Sequence, residues 1–255
     1  MPDKGTRKKL TKVGGAGAPS TTTERATRSF VPTDESKGKA KRLRLFAIIS
    51  WIVAIGIEIG AIVLLKKPPV NTTLLIVLIA ADLIFAVVGS LLWKKSNRLD
   101  PASEKDKFKF FVQNQLGAII SVIAFLPLVL LIFTDKNLDK KQKGLVGSIA
   151  VAALLIAGIT GVDFNPPSQE KYAEQTAQVE SLNNGLNQVF WTKSGRSYHL
   201  YSDCSYINTD RTSEIFEGTV AQARELKNIT DLCDFCARRS VKEKGLDPKL
   251  ALPAR

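Results

Sequence analysis

Four stretches of the chain hold almost nothing but apolar side chains: residues 46–65, 73–93, 110–133 and 145–162. Each has roughly the 18 to 20 residues that cross ~30 Å of hydrocarbon at 1.5 Å per residue. A core helix of a soluble protein keeps a polar face, and these stretches show none. The polar exceptions are Glu58 in the first stretch, Asp82 in the second, and Gln113, Asn114 and Gln115 near the start of the third. The pattern predicts an all-α transmembrane bundle of about four helices over residues 45–162, multi-pass in the cell membrane.

The polar ends read differently. Residues 1–44 carry twelve Lys and Arg against four Asp and Glu, with few aliphatic side chains. Such a stretch buries too little apolar surface to offset its ordering entropy, so it is expected to be a disordered basic tail. No apolar run closely follows the first basic residues, so it does not read as a signal peptide. After the last span, Asn165-Pro166-Pro167-Ser168 is a helix stop followed by an N-cap. Tyr172, Thr176, Val179 and Leu182 then form one stripe, closed by Gly185, and predict a stalk helix within 163–186. Residues 189–192 and 197–200 read as two strands about a turn at 193–196. Thr219 with Gln222 three residues on reads as a capping box opening a short helix. Residues 187–240 are thus expected to form a small α+β module, and 241–255 a flexible tail.

Charge bears on orientation and partners. The chain has 255 residues and a net charge of +12, although its mean hydropathy is close to zero. Near the membrane, the N-terminal side, the second loop and the C-terminal flank together carry fourteen Lys and Arg; the other side carries six. By the positive-inside rule both termini are expected in the cytoplasm. The last span alone argues the reverse, because four lysines precede it and a neutral-to-acidic stretch follows. A third segment made re-entrant at Pro127 would reconcile the two. Lys37, Lys39, Lys41, Arg42 and Arg44 abut the first span and suit anionic lipid headgroups, at roughly 1 kcal/mol each. No aromatic residues are interleaved with them for base stacking, so nucleic acid is not an expected partner.

Inside the spans, Glu58 and Asp82 lie roughly 10 and 14 Å from the short loop they share. A lone carboxyl at such depth needs a partner or a function. Two readings stay open: a proton or cation site, or a polar contact with Gln113, Asn114 or Gln115 that holds helices together. Gly56 and Gly60 form a GxxxG, and Ala153, Ala157 and Gly161 a small-xxx-small row; both spacings allow close helix approach, within the bundle or between chains.

The remaining chemistry is concentrated. The chain has one histidine and three cysteines, all between residues 199 and 236: His199-x4-Cys204, then Cys233-x2-Cys236. A Cys-x2-Cys turn offers two thiolates to adjacent tetrahedral positions, and His199 with Cys204 completes a Cys₃His set of the structural zinc type. A full shell leaves no place for a substrate, so the metal would act as a folding element. Other readings stay open: a thioredoxin-like pair without the βαβ context it needs, a disulfide that leaves one cysteine over, and a Cys204–His199 catalytic pair with no orienting group. Haem attachment is excluded because Ala237 follows Cys236, and zinc deamination because Tyr201 and Leu232 stand where Glu and Pro are needed.

Residues 189–192 (Val-Phe-Trp-Thr), Gly195, Tyr198-His199-Leu200, Cys204, Gly218-Thr219 and Cys233-x2-Cys236 resemble a module of unassigned activity at the ends of bacterial membrane and surface proteins. They are more distantly similar to the metal-binding domain of Ada-type DNA repair proteins. The resemblance covers about a fifth of the chain and implies zinc at His199, Cys204, Cys233 and Cys236. The Ada-type domain uses a ligand cysteine as methyl acceptor within a four-cysteine set; a histidine here departs from that set, so the activity is not carried over. The expected function is a membrane protein presenting a zinc-stabilised module for protein interaction or regulation, not an enzyme. Tyr201, Tyr206 and Phe216 are candidate contacts. The alternatives are a small transporter or channel component using Glu58 and Asp82, and a cysteine-based redox enzyme.

Overall fold

The structure is a computed structural model and describes residues 8–13, 32, 34–227 and 229–251. The chain forms two compact units. One runs from Pro32 to Ser168; the other joins the N-terminal residues to everything from Gln169 onward.

The first unit is four helices: α1 (Asp34–Leu65), α2 (Thr72–Leu99), α3 (Lys107–Thr134) and α4 (Lys140–Gly161). All four are long and apolar enough to cross a membrane. Asn71 and Asp106 cap α2 and α3 by accepting from the backbone N–H of Leu74 and Lys109, each at 3.0 Å. Asp139 and Gln142 form a reciprocal capping box on α4. α3 continues through Pro127 as one helix, so it has no re-entrant break there.

Large aliphatic side chains such as Ile52, Val77, Ile84 and Leu155 face outward, while Ala40, Ala47, Ala54, Ala61, Ala86 and Ala150 are buried. This arrangement is consistent with a membrane protein, in which small residues let helix backbones approach and lipid would cover the large ones. Leu65, Leu75, Ile79, Phe125, Leu128, Ile132 and Val146 fill the interior.

The predicted helix-packing residues divide. Ala153, Ala157 and Gly161 are buried on α4, and the Ser121 hydroxyl of α3 donates to the Ala157 carbonyl at 3.1 Å. A Cβ on Gly161 would lie 2.5 Å from the Gly117 backbone. Gly56 and Gly60 instead are exposed, with nothing within 4 Å of a Cβ built on either. Their GxxxG does not pack inside the bundle, because the buried stripe of α1 runs through Ala54, Glu58 and Ala61. The close approach between α1 and α2 is at Gly89, where a Cβ would meet the Trp51 ring at 2.5 Å.

The expected disordered tail is corrected at residues 8–13 and 34–44; residues 1–7, 14–31 and 33 lie outside the described residues. α1 begins at Asp34, eleven positions before the expected membrane region, since Ser36 and Ala40 are buried and the Ser36 hydroxyl donates to the Leu99 carbonyl at 3.1 Å. Arg44, grouped with the headgroup-binding side chains, donates to Asp100 Oδ2 at 2.8 Å and to its carbonyl at 2.9 Å. Further upstream, residues 9–12 form a strand.

The second unit contains β1 (Lys9–Lys12), α5 (Gln169–Leu182), β2 (Val189–Trp191), β3 (Ser197–Tyr198), β4 (Glu214–Gly218), α6 (Val220–Lys227), β5 (Asp231–Leu232) and α7 (Asp234–Lys244). The sheets are β1-β4-β2 and β3-β5. The predicted hairpin is present as reciprocal 2.7 Å bonds between the backbones of Phe190 and His199. Thr219 and Gln222 cap α6 as expected, at 2.8 and 3.3 Å. β4 and β5 were not predicted.

α5 is not a free-standing stalk: Val179 and Leu182 join Trp191, Tyr198, Ile215 and Ala223 in one core. Arg224, buried on α6, lies 3.8 Å from the centre of the Tyr172 ring and donates to Gln175 and Thr176. The expected flexible tail is also corrected. α7 runs to Lys244, a short 3₁₀ turn follows at Pro248–Ala251, and Leu246 and Leu250 pack on the core. Residues 252–255 lie outside the described residues.

The glycine contacts give a direct test. Gly161→Ala is expected to lower the stability of the detergent-solubilised protein by about 1–3 kcal/mol, because helix backbone must move. Gly56→Ala and Gly60→Ala are expected to stay within about 0.5 kcal/mol. Thermal unfolding of the three variants distinguishes them.

Candidate metal centre

Three short elements deliver the four donors. His199 follows β3 and is held by its bonds to Phe190. Cys204 sits in a turn whose carbonyl accepts from the N–H groups of Ile207 and Asn208 at 3.0 and 2.8 Å. Cys233 continues β5, donating its N–H to the Tyr198 carbonyl at 2.9 Å, and is the N-cap residue of α7. Cys236 lies in the first turn of that helix. The turn between β5 and α7 therefore places both thiols at the start of one helix.

His199, Cys204, Cys233 and Cys236 are all buried, and their donor atoms lie within 4.8 Å of one another. His199 Nδ1 is 3.3 Å from Cys204 Sγ and 3.6 Å from Cys236 Sγ. An N–S edge of a tetrahedron with metal–nitrogen and metal–sulfur bonds of ~2.0 and ~2.3 Å is ~3.5 Å long. The two distances therefore match adjacent ligand positions, with Nδ1 as the histidine donor. The three thiols are free. These four residues could hold a metal ion, and the donor set of three soft sulfurs and an imidazole fits zinc among other soft-site metals.

The surroundings bear on the charge each donor carries. Burial pushes the Cys204 and Cys236 thiols up, while backbone N–H groups of Tyr206 and Leu200 respectively oppose that shift. Burial pushes the His199 imidazole down to about 4. These shifts favour the neutral forms of His199, Cys204 and Cys236, and a divalent ion would replace thiol protons. An open groove of about 1410 Å³ is lined in part by His199 and Cys233, with Arg196, Tyr206, Phe235, Arg238 and Lys242.

Of the three candidate contact aromatics, only Tyr206 is exposed, at 70%. Tyr201 lies under the Arg239 guanidinium at 4.1 Å, and Phe216 stacks on Trp191 at 6.2 Å. The sequence reading missed Phe235, which sits between the two knuckle cysteines, is 46% exposed and meets Tyr206 edge-on at 6.0 Å. A large aromatic inside a Cys-x2-Cys turn was the available signal.

The two acids within the apolar helices form a second cluster in the other unit. Glu58 on α1 and Asp82 on α2 are 4% and 1% exposed and interact electrostatically. Both Asp82 oxygens and one Glu58 oxygen have no hydrogen-bond partner among the described residues. The expected contact with Gln113, Asn114 or Gln115 is not made. α3 runs antiparallel to α2, so those amides lie beside the opposite end of α2. There the Gln113 carbonyl accepts from Trp93 and Asn97, the Asn114 amide donates to Phe110, and Gln115 donates to Asp163.

No family model matches the chain, and no curated protein or solved structure proves similar to it.

Metal affinity is expected to rise with pH. Each thiol proton displaced contributes about tenfold per pH unit below the thiol's own titration, whereas His199, neutral above about 4, does not compete between pH 5 and 8. Competition titrations at pH 6, 7 and 8 measure the slope. Cys236→Ser is expected to weaken binding by more than ~100-fold.

Proposed function

We propose that this chain is an integral membrane protein that presents a zinc-stabilised module for protein interaction or regulation. The observation that carries this reading is the grouping of four buried donors, which are every histidine and cysteine the chain has. Four ligands complete a tetrahedral shell, so the ion serves folding rather than turnover. The resemblance to bacterial surface modules and, more distantly, to Ada-type domains supports zinc as the ion. Tyr206 and Phe235, exposed beside the groove, are the contacts a protein partner would meet. The positive-inside bias supports cytoplasmic termini in the cell membrane, with Lys37, Lys39, Lys41 and Arg42 offered to anionic headgroups.

A second reading, a small transporter or channel component, is favoured by one observation. Asp82 is fully buried within the spans and neither of its oxygens is paired among the described residues. Such a group in a bilayer is a functional candidate by default.

Full-length protein purified in detergent is expected to contain about one zinc per chain. Chelation is expected to remove hydrogen-exchange protection over residues 189–244 while the four spans keep theirs. Metal-free protein with a Cys233–Cys236 disulfide would contradict the proposal and favour a cysteine-based redox enzyme. Tyr206→Ala with Phe235→Ala is expected to leave metal content unchanged. For the second reading, Glu58→Gln with Asp82→Asn is expected to abolish ion flux in proteoliposomes without loss of assembly; unchanged flux would reject it.

A further inference from the structure

The edge of β4 away from β2 is covered by a segment from the far end of the sequence. β1 lies parallel to β4 in the register Lys9↔Glu214, Leu10↔Ile215, Thr11↔Phe216 and Lys12↔Glu217. The Val13 N–H donates to the Glu217 carbonyl at 2.9 Å, Lys8 Nζ donates to the Thr209 carbonyl at 2.5 Å, and the Thr11 hydroxyl donates to Glu214. Val13 packs on the module core. Lys9 and Lys12 lie 3.7 Å from Glu214 and Glu217. Those ion pairs are exposed on the lysine side and contribute little stability, but a one-residue slip would turn each side chain to the wrong face. The ladder and Val13 supply the hold, and the charges select the register.

We infer that this edge of β4 is a strand-acceptor site for a basic extended segment, that its occupant is the chain's own Lys8–Val13, and that this closure keeps both chain ends on one face of the membrane. The inference rests on the reading of four spans and not on the metal. Twenty residues lie between Val13 and Asp34. Fully extended they cover at most ~70 Å, which bounds how far Val13 can lie from the start of α1. Tethering gives it an effective concentration that a second copy must exceed. An even number of crossings is required, since a re-entrant third segment would place β1 and β4 on opposite sides. α3, unbroken at Pro127, fits that requirement. The pairing thus bears on the conflict between the overall charge bias and the local charges around the last span.

The test uses the full chain in its native membrane, with a photo-cross-linking amino acid in place of Leu10. Expected are cross-links to residues 209–218 within a single chain. Val13→Pro, which removes the N–H that bonds Glu217, is expected to cut their yield at least fivefold. Lys9→Glu with Lys12→Glu is expected to lower the yield, and Glu214→Lys in that background to recover part of it. Tags at the two ends are expected to be labelled from the same side. Cross-links only to a second copy, none to residues 209–218, or tags labelled from opposite sides would overturn the inference. Yields are compared at matched metal content, so failure of the zinc reading leaves this test intact.

Discussion

Three thiols and an imidazole buried side by side, at 8% exposure or less, set the condition on which the module's architecture depends. Its strands are two to five residues long and its helices short, so no single element supplies a stable core. The donors come from the end of β3, the turn after it, and the junction of β5 with α7. Bringing them together fixes the hairpin, the parallel β3-β5 pair and the start of α7 at once. A cation at their centre would turn a cluster of buried polar groups, each costly if left unpaired, into a crosslink between four chain positions. Trp191, Tyr198, Val179 and Leu182 share one core with the three cysteines.

The helical unit answers to a different solvent. Many of its large aliphatic side chains face outward, and alanines such as Ala40, Ala47, Ala54, Ala61, Ala86 and Ala150 lie between the helices, so contact between helices depends in part on backbone approach. Gly161 against Gly117, Gly89 beneath Trp51 and Gly147 against Phe133 leave no room for a Cβ. Polar side chains that reach carbonyls of other helices are concentrated where α2 ends and α3 begins. Glu58 and Asp82 stand apart from that network, and the two Asp82 oxygens and one Glu58 oxygen that lack partners among the described residues are the feature that packing alone does not explain.

Some of this was legible in the sequence because the signal is local. Apolar runs of membrane length mark helices whatever surrounds them, and four rare donors within forty residues mark a candidate metal site. Other features depend on tertiary context. The GxxxG of Gly56 and Gly60 shows that a helix face is small, but not whether that face is inside; the exposed one here belongs to the longer-ranged choice of Ala54 and Ala61 as the buried stripe. The order of residues 34–44 comes from the fit of Ser36 and Ala40 against the end of α2, although their composition resembles a solvated tail. β1 is four residues long and its partner lies some two hundred positions away, so no window of the sequence contains both. Gln113, Asn114 and Gln115 were plausible partners for the buried acids by type, and the antiparallel course of α3 places them at the wrong end.

The account's central claim is that His199, Cys204, Cys233 and Cys236 hold one zinc ion. X-ray absorption at the zinc edge of the full-length protein measures this directly. The account predicts a four-coordinate shell of three sulfurs at ~2.3 Å and one nitrogen at ~2.0 Å. A shell of nitrogen and oxygen alone, or one with fewer than three sulfurs, would contradict it.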